Sequence, residues 1–389
     1  MATPTRRRSL APQARLRLKN TFGNRERRPQ DMNRVARQLL PILAVLANVS
    51  VLVAGHGPGQ FVRRETTHLM RDKQRLYYLG ANCFYLSYFA QDTSVATNGT
   101  TWRQMSDEVL AQCKDLGISV VRIWAFNEDN KQEFSAVHGD WRIQTSPGVY
   151  REQALVGLDY VLNAANELDL YLVLTLVNNW NDYGGMMWYV TNSPTAGGDH
   201  DDFYTDVWCR QWYRNHFAAL ANRTNTFNGR VYRDDPTIFS WQLANEPRCS
   251  TTIALTNWVS QMASYIKSID TNHMVSTGEE GWEPEWTLNN SCSNIDYAVI
   301  HCWPDWWWPS KDDATMYSNA MRWVTDRIAT AQNTLGKPIV LSEYGRLHPA
   351  WGGPPLDDAY GRNGYYRGWF DAIYSSARAD GPPPAYTSG

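Results

Sequence analysis

Two glutamates, each ending an apolar stretch, are the residues of this chain best suited to catalysis. Glu246 ends the stretch that begins at Trp241, and Pro247 follows it and cannot extend a strand's hydrogen bonding. Glu343 ends the stretch that begins at Pro338. A carboxylate at the end of a buried strand lies at the mouth of a parallel α/β barrel, where active sites form. Two such carboxylates, one protonated and one ionised, are what the hydrolysis of a glycosidic bond requires.

Apolar runs alternate with helical stretches along the chain, and this alternation predicts a parallel sheet. The predicted strands are Leu76–Tyr85, Ile118–Phe126, Tyr171–Val177, Ile238–Leu243, Met274–Gly278, Tyr297–Trp303 and Ile339–Ser342. The predicted helices are Trp102–Leu116, Glu152–Leu168, Phe203–Ala221, Ala254–Ile269, Met316–Leu335 and Tyr365–Arg378. After the fifth strand there is only a short segment around Glu285–Leu288. Seven repeats, counting this one, predict a (β/α)8 TIM barrel, and the absence of a glycine-rich phosphate loop argues against a dinucleotide-binding fold.

The count of strands stops at seven, because Ala379-Asp-Gly-Pro-Pro-Pro and a few further residues follow the last predicted helix. We therefore expect a barrel that is incomplete at its C-terminal side, with two open strand edges. Glu246 and Glu343 follow the fourth and seventh strands, which lie on roughly opposite sides of the ring. A separation of about 5–5.5 Å between the two carboxyl groups would make the enzyme retaining.

The N-terminal region differs from the rest of the chain in composition. Residues 1–31 are rich in arginine and are expected to be disordered. Residues 32–57 combine a short basic stretch with an apolar run, which predicts a secretory signal peptide or, alternatively, a signal-anchor with a basic cytoplasmic tail. Met32 could be the true start. The catalytic barrel is assigned to residues 58–389, and the protein is expected to be secreted or, in the alternative, anchored as a type II membrane protein.

The composition of the chain bears on its binding partners, its disulfides and its glycosylation. The net charge of −2 gives no reason to expect a nucleic-acid partner, and 18 Trp and 21 Tyr are typical of sugar-binding proteins. Six cysteines lack any zinc-binding spacing, and Cys249 with Cys292 is the first guess for a disulfide. Glycosylation sequons begin at Asn98, Asn222 and Asn289.

Six short motifs, in order and at barrel spacing, give the chain a resemblance to glycoside hydrolase family 5, and within it to the endo-β-1,4-mannanases of plants and fungi. The likeness covers about Phe61 to Asp380. The motifs are Val121-Arg-Ile-Trp-Ala-Phe-Asn127, Leu176-Val-Asn-Asn-Trp180 with Tyr183-Gly-Gly185, Asn245-Glu-Pro-Arg-Cys249, Gly278-Glu-Glu-Gly281, His301-Cys-Trp-Pro304 and Ser342-Glu-Tyr-Gly345.

The resemblance implies a role for each matching residue. Glu246 would be the acid/base, with a raised pKa, and Glu343 the nucleophile. Arg122 would hold Glu343 ionised, although an arginine in a strand can also be a core ion-pair residue. His301 would lie beside the acid/base and the sugar, and Asn245 would bind the sugar 2-hydroxyl, or it could cap the turn. Other substrate-binding candidates are Trp124, Asn179, Trp180 and Trp303, with packing and stacking equally expected for Trp124 and Trp180.

Two departures from the family pattern bear on activity. Trp303 stands where the family usually has a tyrosine that donates to the nucleophile, and its indole N–H can donate but not accept. The tryptophan that the family places on the eighth strand is absent, and Trp351 is at most a partial substitute. Glu279 and Glu280 either contact substrate or form a solvated rim. The segment Trp306-Trp-Trp308 is either a sugar platform or a packed loop.

The implied activity is retaining endo-hydrolysis of β-1,4-mannosidic bonds in mannan, glucomannan or galactomannan. The alternatives are another β-1,4-glycanase of the same family, such as an endoglucanase, and an inactive truncated carbohydrate-binding relative. No metal and no cofactor are implied, because acid/base chemistry by two carboxyl groups needs neither. The expected partners are the polysaccharide alone, with a membrane only if the N-terminal apolar segment is retained, and the protein is expected to be a monomer.

Overall fold

Seven strands carry the residues of the candidate site, five in one parallel sheet and two in a second parallel pair. A computed structural model describes residues 60–96, 99–129 and 140–379, all within the compact unit Leu52–Pro384. The strands are β1 Val62–Glu65, β2 His68–Arg71, β3 Gln74–Arg75, β4 Leu79–Asn82, β5 Ile118–Trp124, β6 Gln144–Ser146, β7 Val149–Tyr150, β8 Tyr171–Thr175, β9 Ile238–Gln242, β10 Met274–Ser276, β11 Ala298–Cys302 and β12 Ile339–Tyr344. One parallel sheet has the order β10-β9-β8-β5-β4, and β11 pairs with β12 in parallel. These are the seven predicted strands; six of them are shorter than predicted, and the last, β12, extends two residues further, to Tyr344.

Helices connect the strands on the outside. They are α1 Leu86–Ala90, α2 Trp102–Asp115, α3 Glu152–Glu167, α4 Gly185–Asn192, α5 Asp202–Thr205, α6 Val207–Ala221, α7 Thr252–Ile269, α8 Glu285–Ser291, α9 Pro304–Trp307, α10 Asp313–Thr330 and α11 Arg362–Ala379, with shorter turns at Tyr232–Asp234, Ala331–Leu335 and Pro349–Trp351. The single helix predicted over 203–221 is wrong, because Asp206 interrupts it in an extended conformation. Its carboxylate accepts from the N–H groups of Trp208 and Cys209, both at 2.9 Å, and so starts α6 anew.

An antiparallel hairpin that the sequence analysis did not predict precedes the parallel strands. It comprises β1, β2 and β3. Val62 and Leu69 from this hairpin are buried in one apolar cluster with Tyr171, Phe239 and Met274 from the parallel strands. Burial of these side chains on the same cluster joins the hairpin to the strands by the hydrophobic effect.

The side of the sheet at β12 is less covered than the rest. Every residue of β8, β9 and β11 is buried, whereas all six residues of β12 are only half-buried. Within the described ranges no strand pairs with β12 on the side away from β11. The Asn82 side chain at the end of β4 instead donates to the Ser342 carbonyl of β12, with Nδ2 2.6 Å from the oxygen. The prediction of seven strands holds for these residues.

Other predictions about covalent and terminal features have mixed outcomes. The disulfide between Cys249 and Cys292 is wrong: all six cysteines are free, and these two thiols bond Asp201 and Ser260 respectively. The sequon asparagine Asn289 is fully buried, so the folded protein does not present it for glycosylation.

The predictions for residues 1–31 and 32–57, and the sequon at Asn98, lie outside the described residues. In the part of the chain that is described, no helix has both the length and the apolar character needed to cross a membrane.

Candidate active site

The backbone at Glu246 is held in an unusual conformation. Its φ is +52°, a left-handed value that non-glycine residues seldom adopt and that recurs at functional sites. The Glu246 N–H donates to the Gly278 carbonyl at 2.9 Å. Gly278 also has a positive φ, and a Cβ there would collide with the Ala244 carbonyl oxygen. The close approach of these two loops therefore sets the direction in which the Glu246 side chain leaves the strand.

Arg122 links Glu343 to Asn245, the residue that precedes Glu246. This buried guanidinium donates from Nη1 to Glu343 Oε1 at 2.5 Å and from Nη2 to Asn245 Oδ1 at 2.8 Å. Its Nε donates to Gln242 Oε1 at 2.6 Å, and Nη1 also reaches Asn82 Oδ1 at 3.1 Å. A planar arginine with all three nitrogens engaged has little rotational freedom. It therefore fixes the Glu343 carboxylate and stabilises its negative charge.

His301 lies between the two carboxylates. Its Nδ1 is 2.7 Å from Glu246 Oε1 and 3.6 Å from Glu343 Oε2. One ligand atom from each of Glu246, His301 and Glu343 lies within 4.8 Å of the others. The two carboxylates are therefore near enough to act on one anomeric carbon, and closer than the roughly 6.5–9.5 Å that leaves room for an inverting water.

The protonation of this cluster differs from the expectation of a raised pKa at Glu246. Burial raises the pKa of Glu246, but the hydrogen bond and charge of His301, with the N–H of Trp180, outweigh burial and lower that pKa to about 2. Burial lowers the pKa of His301, but Glu343 and Glu246 outweigh it and raise that pKa above its ordinary value. Without substrate, the proton of the pair therefore resides on His301 and not on Glu246.

Trp180 contacts the acid/base candidate directly. Its Nε1 donates to Glu246 Oε2 at 2.7 Å, and the Arg248 guanidinium lies 5.0 Å from the centre of its ring. Arg248 in turn makes a double hydrogen bond to Glu280, at 2.6 and 2.8 Å. Glu280 and Glu279 are both buried, so the expectation of a solvated rim is wrong for them. Glu279 instead accepts from Asn289 Nδ2 at 2.6 Å.

Trp303 reaches the nucleophile candidate with its indole N–H. The distance from Nε1 to Glu343 Oε2 is 3.2 Å, so this tryptophan supplies a donor to that carboxylate. A Cβ on Gly345 would collide with the six-membered ring of Trp303. The glycine two residues after Glu343 therefore makes room for the large ring beside the carboxylate.

The remaining predicted residues, Asn245, Asn179 and Trp124, mainly contact other side chains and backbone groups of the protein. Asn245 uses Oδ1 for Arg122 and one amide hydrogen for Asn178, which leaves one N–H for a ligand. Asn179 accepts from the Arg248 N–H at 3.0 Å and so supports the loop after β9. Trp124 stacks on Phe126 with centroids 4.8 Å apart and also packs on Phe84 and Tyr183, which favours packing over sugar stacking for this ring.

A cleft of about 860 Å³ contains both glutamates. Its walls are formed by Trp180, Glu246, Pro247, Arg248, Cys249, Leu255, Glu279, Glu280, Gly281, Trp282, Glu285, Trp303, Trp306, Trp307 and Glu343. Trp180 also borders a smaller cavity of about 410 Å³ with Asn179 and His200. The volume and aromatic walls suit an extended sugar chain.

Three polar residues of this network were missed by the sequence analysis. Asn82 and Gln242 hold Arg122, and Arg248 holds Trp180. Gln242 could have been noticed, because a polar side chain in the buried strand before Glu246 requires a partner. Asn82 gave no such signal, since it lies at the end of a run of mixed polarity.

Among the described residues, Glu246, His301 and Glu343 form the one acid and imidazole group compact enough to share a metal ion. The Arg122 guanidinium against Glu343 already neutralises charge there.

Comparison with known proteins agrees with this arrangement. The family model described as "GH family 5 beta-mannosidase-like" matches residues 59–383. The chain belongs to this glycoside hydrolase family. Its predicted (β/α)8 barrel class and its assignment as a glycoside hydrolase are thereby confirmed.

Individual members of glycoside hydrolase family 5 resemble the chain over most of its length. Mannan endo-1,4-beta-mannosidase 1 of Arabidopsis thaliana is 37% identical over 347 residues, which are 82% of this chain and 79% of the relative. The crystal structure of a family 5 mannosidase from Rhizomucor miehei has a TM-score of 0.69 at 26% identity and covers 83% of this chain and 84% of its own. An endo-1,4-beta-mannanase from the same organism has a TM-score of 0.65 at 30% identity, over 82% and 88% of the two chains.

Proposed function

We propose that this family 5 member hydrolyses internal β-1,4-mannosidic bonds of mannan-type polysaccharides with retention of configuration. The observation that carries the proposal is the pair of carboxylates, Glu246 and Glu343: one oxygen of each lies within 4.8 Å of the other, beside His301. Their spacing suits two successive displacements at one carbon. The choice of mannan is supported by two of the relatives named above, the mannan endo-1,4-beta-mannosidase of Arabidopsis thaliana and the endo-1,4-beta-mannanase of Rhizomucor miehei.

In the first displacement, the Glu343 carboxylate attacks the anomeric carbon and the glycosidic C–O bond breaks. Arg122 orients Glu343 through a hydrogen bond to one oxygen, and Trp303 donates to the other oxygen. The leaving oxygen takes a proton from Glu246, which receives it from His301 Nδ1 across 2.7 Å. The product is a covalent glycosyl–enzyme ester and a shortened polysaccharide with a new hydroxyl group.

In the second displacement, water attacks the same carbon and the ester bond to Glu343 breaks. Glu246, now a carboxylate, takes the proton from the water, and His301 can receive it in turn. The low pKa of Glu246 in the free protein is compatible with both steps, because His301 stores the proton until the leaving oxygen approaches. Two inversions leave the sugar with its original configuration.

Incubation of purified protein with mannan, glucomannan and carboxymethyl cellulose tests the proposal. We expect reducing ends to appear with the first two substrates, with a rapid fall in viscosity because internal bonds are cut. Proton NMR during the first minutes is expected to show the β-anomer. Equal or faster release from cellulose would instead favour an endoglucanase, and an initial α-anomer would exclude the retaining mechanism.

Replacement of His301 tests whether this histidine holds the proton that Glu246 passes to the leaving oxygen. The raised pKa of His301 keeps the pair protonated below that pKa, and the proton is lost as the pH rises through it. In His301→Asn the proton must reside on Glu246 itself, so we expect the alkaline limb of the kcat/KM profile to move to lower pH. At pH 7 the rate is expected to fall on the order of 100-fold.

The matched control is His348→Asn, which alters a histidine at the start of the short turn Pro349–Trp351. Its pH profile is expected to coincide with that of the unaltered protein. An unchanged alkaline limb in His301→Asn would contradict the role given to His301.

We further propose that the protein is secreted. The support is the basic stretch and apolar run within residues 32–57 of the sequence. The full chain is expressed in a eukaryotic secretory host, and the mass of the protein is measured in the medium and in the membrane fraction. Protein in the medium that lacks the N-terminal segment indicates secretion, whereas full-length protein in the membranes indicates a retained anchor.

A further inference from the structure

Two exposed tryptophans lie on the wall of the cleft that holds the glutamates. Trp306 is 72% exposed and Trp282 is 41% exposed, yet both border the same space as Glu246 and Glu343. Exposed apolar residues that occur singly are normal, but apolar surface that is grouped in a groove and rimmed by polar residues marks a binding site. Neither ring contacts the carboxylates, so the hydrolytic chemistry described above does not account for them.

Trp282 is supported from behind by other aromatic rings. Its ring centroid is 4.6 Å from that of Trp323 and 4.9 Å from that of Trp307, with the rings at steep angles. Arg327 lies over Trp323 at 4.3 Å and donates from Nε to the Gly281 carbonyl at 2.5 Å. Edge-to-face packing of this kind fixes a ring and leaves its outer face free.

Trp306 is fixed through the residue that precedes it. Asp305 forms an ion pair with the buried Arg346 and accepts from the Leu347 N–H at 2.8 Å. Both partners follow the strand that carries Glu343. Because Asp305 and Trp306 belong to the short helix α9, these contacts tie the ring to the loop beyond the nucleophile. The backbone that carries this exposed ring is therefore held at the wall of the cleft.

The segment Trp306-Trp-Trp308 was predicted to be either a sugar platform or a packed loop, and its three residues differ in this respect. Trp307 and Trp308 are half-buried and pack on Trp323, with centroids at 5.0 and 6.4 Å. Trp306 alone of the three is open to solvent. A flat, apolar ring at the wall of this cleft suits the C–H face of a pyranose, which is apolar while its rim of hydroxyls is polar.

We propose that Trp282 and Trp306 form an aromatic platform that binds sugar units of the polysaccharide remote from the bond that is cleaved. This proposal rests on the proposed function, since it assigns the platform to the same β-linked hexose chain. The platform adds binding energy only for chains long enough to reach it. The protein is therefore expected to prefer long chains over short oligosaccharides.

Steady-state kinetics of Trp306→Ala and Trp282→Ala test the platform. We expect kcat/KM on polymeric mannan to fall about five- to tenfold, mainly through KM, as for the loss of one aromatic contact. The fall on mannotriose is expected to be smaller, so the ratio of the two values changes. Trp306→Phe, which keeps a ring, is expected to recover most of the loss. Equal losses on both substrates would overturn the platform.

Trp208→Ala is the matched control, because Trp208 is also 43% exposed but lies on α6 and does not border the cleft. Its kinetics are expected to match those of the unaltered protein. Far-UV circular dichroism and thermal melting of each variant exclude misfolding as the cause of a loss.

Binding without turnover separates this proposal from the proposed function. Glu343→Gln is run on native gels that contain mannan, with and without Trp306→Ala in the same chain. We expect the polymer to retard Glu343→Gln and to retard the double variant clearly less. Equal mobility of the two would overturn the platform. Failure of the unaltered protein to hydrolyse mannan, with this difference in mobility preserved, would instead overturn the proposed function alone.

Discussion

Glu343→Ala is expected to abolish hydrolysis of mannan, with a loss of turnover on the order of 10⁴-fold or more, as for removal of other covalent nucleophiles. The physical reason is that, among the carboxylates of the described residues, Glu343 is the one that Arg122 and Trp303 both hold in place beside His301. Arg122, which donates to Glu343 Oε1 at 2.5 Å, would then face a cavity in place of an anion. Reducing-sugar release at substrate saturation measures the effect.

A small external anion tests whether the lost group was a nucleophile. Azide can enter the space left by Glu343 beside the positive charge of Arg122. With an aryl β-mannoside, whose leaving group departs easily, azide is expected to restore turnover and to yield the α-mannosyl azide. Glu108→Ala, which alters an exposed glutamate on α2, is the control and is expected to behave like the unaltered protein. Full activity in Glu343→Ala, or a β-azide product, would contradict the role of Glu343.

Glu246→Ala is expected to lose more activity on substrates whose leaving group must be protonated than on substrates whose leaving group departs as an anion. On mannan, whose leaving oxygen must be protonated, we expect a fall in kcat/KM on the order of 10²–10⁴-fold. On a dinitrophenyl β-mannoside the leaving group needs no proton, so the first displacement is expected to remain fast. The second displacement lacks its base, and the glycosyl–enzyme should accumulate and be visible by mass spectrometry as a covalent adduct.

The comparison between Glu246→Ala and Glu246→Gln refines this test. The glutamine keeps the shape of the side chain and can still accept from Trp180 Nε1, which now donates to Glu246 at 2.7 Å. Neither variant can transfer a proton, so both are expected to show the same dependence on the leaving group. A Glu246→Gln protein that hydrolyses mannan at an undiminished rate would rule out Glu246 as the acid.

The position of each glutamate could be predicted because it depends on local pattern. An apolar run that ends in a carboxylate before Pro247 marks the end of a buried strand, and the same pattern recurs at Glu343. Chain order then sets the order of the strands, because parallel strands joined by helices are usually neighbours. The seven observed strands correspond to the seven apolar runs for this reason.

Features that depend on contacts between distant segments could not be predicted in the same way. The hairpin β1–β3 has short strands without a clear alternation of polarity, and it is positioned by burial of Val62 and Leu69 on the parallel strands. The break in the helix at Asp206 follows from one capping carboxylate. The guess of a disulfide failed because proximity to the mouth does not make two thiols neighbours.

The sequence by itself determined the fold class, the two glutamates and Arg122, because strand periodicity and the ends of buried runs are written in consecutive residues. The protonation of the site was decided only by tertiary structure. Trp180 and His301 are 66 and 55 residues from Glu246, yet both bond its carboxylate and lower its pKa. A pKa depends on the burial, charges and donors within a few ångströms, and folding alone brings those groups together.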